Sequence, residues 1–289
     1  MKKTFNTLNN LKIYLVVLFF ISFGIFYNIN INDRNERINI ELANKLNNLK
    51  VHHSLTLDYF YTDAKSLQTR ITQDNKIIEY LKKSYNKPLK EQAINRKELY
   101  KYLLPFYKRI HTRGILQFQL MFPDNTTFLR VHKPQKFGDD LTNVRYSYKY
   151  TNETKKVSFG FEQGKTVHAI RYVFPMFDKN KNHIGAAEVS LSTKYMQNRL
   201  VTSNKIHTHY IVNKKIFEVR AWKEPGMAAK YIQSVEHDDY MYTLSSHIYD
   251  KKLRALEEQY IKPKKILLQK KWKQNNHLVS TLIQMILLK

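Results

Sequence analysis

The chain has 289 residues, no cysteine, 13% aromatic residues and a formal net charge of +25. That length accommodates one large domain or two modest ones, and the lack of cysteine excludes disulfides, thiolate zinc sites and thiol catalysis. Lys and Arg are scattered along the chain with no arginine-rich tract, zinc-finger spacing or RNP-like motif, so the charge predicts solvated faces and no nucleic-acid partner.

Residues 1–12 read as a polar cytoplasmic tail, with Lys2, Lys3 and Lys12. Ile13 to Tyr27 carries no charge, and Ile29 and Ile31 extend the apolar run to about 17 residues, near the lower limit for a membrane-spanning helix. No small-residue cleavage site follows; Asn32-Asp33-Arg34 does. Residues 13–31 are therefore expected to be an uncleaved transmembrane helix. Lysines before the span place the N-terminus in the cytoplasm. This makes the chain a single-pass protein of the inner membrane, with the rest on the periplasmic side.

Asp33 to about Tyr85 lacks Pro and Gly, and its apolar residues recur at helical spacing. This predicts one long helix, with a weak point near His53. Asn86-Lys87-Pro88 is a stop and restart. A second helix is expected from Pro88 to about His111, kinked at Pro105. Arg113-Gly114 ends it.

From Leu116 the period changes to two. Leu116, Phe118 and Leu120 alternate with Gln117 and Gln119. A turn at Pro123-Asp124-Asn125 leads to a return strand, Thr127 to His132. Lys133 to Leu141 is a loop, and Asp140 to Thr151 holds a short helix. Val157 to Glu162, Val167 to Pro175 and Ile184 to Ser192 are three more strands. The fold class is thus α+β, with a mainly antiparallel five-stranded sheet behind helices. A short helix from Thr193 and weaker strands at Thr208–Val212, Ile216–Trp222 and Met241–Ser246 begin a partial second lobe, residues 201–263. Lys251 to Lys289 holds ten Lys or Arg against two Glu. Residues 264–289 read as an atypical basic and apolar tail, either of a truncated or frameshifted receptor chain or of a genuine short form.

The motifs Leu116-Gln117-Phe118-Gln119-Leu120, Thr127-Phe128-Leu129-Arg130-Val131-His132-Lys133-Pro134, Phe137-Gly138-Asp139-Asp140-Leu141, Arg145, Gly160-Phe161-Glu162 with Gly164, Arg171-Tyr172-Val173-Phe174-Pro175 and His183 to Glu188 occur in this order behind the span and the long helix. In this the chain resembles the double Cache extracytoplasmic sensor domains of bacterial chemoreceptors, sensor histidine kinases and diguanylate cyclases. The resemblance implies a PAS-like membrane-distal lobe within residues 32–200, a small-molecule ligand and a homodimer through the long helix. It also implies a second span and a signalling output domain, neither of which is visible before Lys289.

Arg130, His132, Asp139, Arg145, Glu162 and Arg171 are the candidate ligand-binding residues. Guanidinium groups clamp carboxylates, and a carboxylate beside aromatic rings suits an ammonium group. The set fits an amino acid, a carboxylate or an amine. Tyr148, Phe161 and Tyr172 are the candidate aromatic walls. Each residue has a plainer reading, as an ion pair or as sheet packing. His207 and His209 lack a third metal ligand. No nucleophile elbow, phosphate loop or H-E-x-x-H motif occurs, so no enzyme, cofactor or metal is expected. The alternative function is a membrane-anchored structural or interaction protein without a ligand.

Overall fold

The computed structural model describes residues 2–163, 168–204, 207–214, 231–234, 238–243 and 283–286. The chain divides into two compact units, Met1–Val51 and His52–Lys289. In the first unit the chain is one continuous α-helix, part of α1 (Lys2–Thr72). Its apolar stretch is long enough to cross a membrane, and its rings face outward, Phe19 being 61% and Phe20 65% exposed. Polar side chains within the stretch bond back to the helix. The Asn28 amide donates to the Gly24 carbonyl at 2.9 Å, and that of Asn30 to Phe26 at 2.8 Å. Such bonds satisfy groups that a hydrocarbon phase would leave unpaired.

In the second unit the helix does not break near His53, nor does it run on to Tyr85. It stops at Thr72 because Asp74 starts a new helix, α2 (Asn75–Ser84). The Asp74 carboxylate accepts the backbone N–H groups of Lys76 and Ile77, an N-cap that competes with helix continuation. Tyr85 to Pro88 then lead into α3 (Leu89–His111), which contains Pro105.

Beyond Gly114 the chain builds the main sheet from β1 (Ile115–Met121), β2 (Thr127–Arg130), β3 (Ser158–Gln163), β4 (His168–Phe177) and β5 (His183–Ser192). The strand order is β2-β1-β5-β4-β3, and every pairing is antiparallel. A short helix, α4 (Tyr146–Thr154), lies between β2 and β3 in sequence, and α5 (Thr193–Asn204) follows β5. The architecture is therefore α+β, as the change of period predicts. β2 is shorter than expected, since the chain turns at Val131.

Strand alternation sorts the residues of this sheet onto two faces. Phe118, Val189 and Tyr172 stand in register on one face, which packs on the helices: Phe118 meets Phe106 of α3 edge-on at 5.9 Å, and Tyr172 meets Tyr61 of α1 at 5.6 Å. The Tyr172 hydroxyl also donates to Gln68 at 2.7 Å. The opposite face is covered by α4 and the segment before it. There Met121, Val173 and Ala186 pack with Leu141 and Tyr148 in a buried apolar cluster.

A second antiparallel sheet has the order β7-β8-β6-β9, from β6 (His207–Asn213), β7 (Tyr231–Gln233), β8 (Tyr240–Thr243) and β9 (Ile283–Ile286). Within the stretch expected to be an atypical tail, Ile283–Ile286 pairs with His207–Tyr210. The expected strand Ile216–Trp222 lies outside the described residues.

Candidate functional site

Next to the apolar cluster, the α4-covered face carries a row of polar side chains that crosses all five strands. β2 supplies Arg130, β1 Gln117 and Gln119, β5 Glu188 and Ser190, β4 Arg171, and β3 Glu162. The register aligns them: Arg130 lies opposite Gln119, Gln119 opposite Glu188, Gln117 opposite Ser190, and Ser190 opposite Arg171. Glu162 stands two residues beyond Gly160, the partner of Arg171, and so shares this face.

At the centre, Arg171 is 1% exposed and Glu188 is fully buried. The Arg171 Nη1 pairs with Glu188 Oε1 and donates to Gln117 Oε1 at 2.8 Å. The Gln119 amide donates to Glu188 Oε2 at 2.5 Å and bonds the Tyr148 hydroxyl of α4. Arg171 Nε lies 3.2 Å from Glu162 Oε2. Glu162 in turn accepts the Ser147 hydroxyl at 2.8 Å and the Ser147 backbone N–H at 3.2 Å, and lies 3.8 Å from Arg145 Nη1. The start of α4 is thereby tied to β3 and β4.

At the other end, Arg130 Nε donates to Gln119 Oε1 at 3.1 Å. Its Nη1 and Nη2 grip Asp139 at 2.7 and 2.8 Å, and Nη1 also reaches the Lys136 carbonyl at 3.0 Å. Asp139 thus holds its loop through Arg130, and Arg145 pairs with Glu162. On the outer side of the same loop, Phe137 stacks under the Arg96 guanidinium of α3 at 3.5 Å, and Arg96 Nε donates to the Phe128 carbonyl at 2.7 Å. His132 follows the end of β2 yet reaches the row. Its Nε2 is 3.4 Å from Gln117 Nε2, and its Nδ1 is 3.2 Å from the Phe118 carbonyl.

Of the nine sequence-predicted residues, seven meet here: Arg130, His132, Asp139, Arg145, Tyr148, Glu162 and Arg171. The register separates the other two. Phe161 pairs with Ile170, on the face opposite Glu162, and Tyr172 faces α1. Neither lines the polar row, because neighbours on a strand point to opposite sides. Gln117, Gln119, Ser147, Glu188 and Ser190 also join this cluster and are not among the candidates read from the sequence. The available signal was polar residues two apart in an alternating strand, and one Glu in the apolar run Ile184 to Val189.

Burial shapes the electrostatics. It pushes the Glu188 carboxyl up to about 7, opposed by the charge of Arg145 and the Ser190 hydrogen bond. It pulls the Arg171 guanidinium down to about 9 and the His132 imidazole down to about 4. The Arg130 hydrogen bonds hold the Asp139 carboxyl below its ordinary value.

These shifts fix opposite pH dependences. His132 titrates near 6.5 when unfolded and near 4 when folded, so its contribution is complete above about 6.5 and is lost as pH falls through 4. His183, also pulled down to about 4 by burial, acts the same way. Glu188 rises from 4.5 to about 7, so its contribution is complete below 4.5 and is lost as pH rises through 7. Glu188→Gln is therefore expected to steepen the acid-side loss of stability between pH 6.5 and 4, and His132→Asn to make it shallower. Melting temperatures from pH 4 to 8 measure both; parallel curves for parent and Glu188→Gln would refute the assignment.

No family model and no curated protein matches the chain. Solved structures do. It is similar to the Escherichia coli DcuS sensor domain, with 13% identity and a TM-score of 0.40 over 50% of this chain and 98% of that one. It is similar to the sensor domain of the Vibrio cholerae histidine kinase DctB, with 15% identity and a TM-score of 0.46 over 60% of this chain and 61% of that one. A third match is the ligand-binding domain of the Campylobacter jejuni chemoreceptor Tlp3 in complex with 4-methylisoleucine, at 19% identity and TM-score 0.34 over 58% and 64%. These three are sensor or ligand-binding domains. At these identities and TM-scores the likeness transfers no residue role to this chain.

Proposed function

We propose that the chain is a membrane-anchored, extracytoplasmic sensor of a small molecule. Residues 13–31 span the inner membrane, the N-terminus is cytoplasmic, and the main sheet lies in the periplasm. The observation that carries this reading is the polar row beneath α4: Arg130, Arg171, Glu162 and Glu188 on one sheet face, joined by Asp139 from the loop and Arg145 from the start of α4. A core built for stability alone gains little from buried ion pairs, since desolvation cancels most of their attraction.

The row fits an amino acid or a small carboxylate. A ligand carboxylate would compete with Asp139 for the fork of Arg130 and free the Lys133–Leu141 loop. β4 offers a route onward. Arg171 belongs to the site, and the next residue, Tyr172, holds Gln68 of α1 on the other face. A ligand drives this only through unequal affinity for two arrangements.

The test is thermal melting of the full chain in detergent against a panel of amino acids, carboxylates and amines. A true ligand at about 100 times its Kd stabilises by about 2.7 kcal/mol, roughly 5 °C or more, and Arg130→Gln is expected to weaken it at least about tenfold. One observation favours a second reading, a structural or interaction protein: each of Arg130, Arg145 and Arg171 already has a carboxylate within 4.0 Å in its own chain. No shift with any compound would support that reading.

A further inference from the structure

The helical layer holds a cleft of about 170 Å³ among the last turn of α1, the start of α2 and the second half of α3. It lies on the opposite side of the sheet from the polar row. Ile71, Ile77, Leu103 and Phe106 are buried and give it an apolar floor. Arg70 and Arg109 stand at its rim, both exposed. The Arg70 guanidinium lies 4.4 Å over the Phe106 ring.

The charges there are unbalanced. Among the described residues neither Arg70 nor Arg109 forms an ion pair. Asp74, the acid that lines the cleft, is already engaged. Its Oδ1 accepts the N–H groups of Lys76 and Ile77 at 2.9 and 3.2 Å, and its Oδ2 accepts the Tyr102 hydroxyl at 2.9 Å. Lys76 adds a further cation, 4.6 Å over the Tyr102 ring.

We propose that this cleft is a second ligand site, for a small amphipathic monocarboxylate such as an aromatic or branched aliphatic acid. Its apolar body would lie on the floor, since a cavity of roughly 150 Å³ holds a benzene ring. Its carboxylate would meet Arg70 and Arg109, which offer fork-like donors. An amine of the same shape meets the cations Arg70, Arg109 and Lys76 against the single carboxylate of Asp74, a net repulsion, and an inorganic anion gains nothing from the floor. The occupant would bridge α1 to α3, so that binding holds the last turn of the long helix in place. This inference stands independently of any ligand at the polar row.

The experiment is fluorine NMR titration of the full chain in detergent with 4-fluorophenylacetate, with 4-fluorobenzylamine as the cationic counterpart. The carboxylate is expected to bind and the amine not to. Arg70→Gln and Arg109→Gln, both at exposed positions, are each expected to weaken binding about tenfold, and Arg130→Gln to leave it unchanged. Equal binding of the amine, full affinity in the Arg70→Gln/Arg109→Gln double variant, or loss confined to Arg130→Gln would each overturn the assignment.

Discussion

Arg171→Met is expected to cost about 3–5 kcal/mol of stability at pH 7.5, the range for removing one partner of a buried ion pair. The reason lies in what remains. Glu188 is fully buried, and without Arg171 its carboxylate keeps, among the described residues, the hydrogen bonds of the Gln119 amide and the Ser190 hydroxyl. The cost should shrink at pH 5, because the Glu188 carboxyl, already pushed up to about 7 by burial, can then hold its proton. Combining Arg171→Met with Glu188→Leu should recover most of the loss, since an apolar pair of similar volume replaces two charges that were costly to desolvate. Melting curves of the parent, the single variant and the double variant at both pH values decide the matter. A single variant that melts within about 2 °C of the parent at pH 7.5 would mean the pair contributes little.

Gly185→Ala should be nearly as damaging for a backbone reason. Gly185 has φ +137°, a conformation that residues with a side chain rarely adopt, and a Cβ there would sit 2.0 Å from the Met121 carbonyl oxygen. A backbone atom cannot swing away as a flexible side chain can, so β5 must move off β1. The expected loss is on the order of 3 kcal/mol. It should also disturb the site, because Glu188 lies three residues along the same strand and meets Gln119 across that junction. Gly160→Ala is the matched control. Its φ is +153°, but nothing lies within 4 Å of the added Cβ, and β3 is the edge strand. There only the dihedral cost remains, about 1 kcal/mol. Similar melting temperatures for the two variants would show that the contact with Met121 does not matter.

The helix boundaries show how far local chemistry reaches. Pro88 and Gly114 were legible as punctuation, and α3 lies between them. The end of α1 was not, because Asp74 looks like any exposed acid until its carboxylate is seen on the N–H groups of Lys76 and Ile77. The strand parity of Arg171 and Tyr172, and of Phe161 and Glu162, was available from the sequence. Adjacent residues on a strand cannot wall one pocket, so alternation alone sets Phe161 and Tyr172 apart from Glu162 and Arg171, whatever their aromatic character.

By itself the sequence determined the apolar N-terminal helix, the change of period near Gly114, the five strands of the main sheet and most of the charged residues of the polar row. These rest on short-range patterns: uninterrupted apolarity, 3.6 against 2, and polar residues placed among apolar ones. Only the tertiary structure decided the strand order, which sets β1 against β5 and so brings Gln119 to Glu188. It alone gave Arg130 to Asp139 and Arg145 to Glu162. Antiparallel pairing between distant segments depends on which faces can be buried together, and no local pattern records the choice. Whether a charged side chain braces the fold or faces a ligand is set by the partners that this pairing supplies.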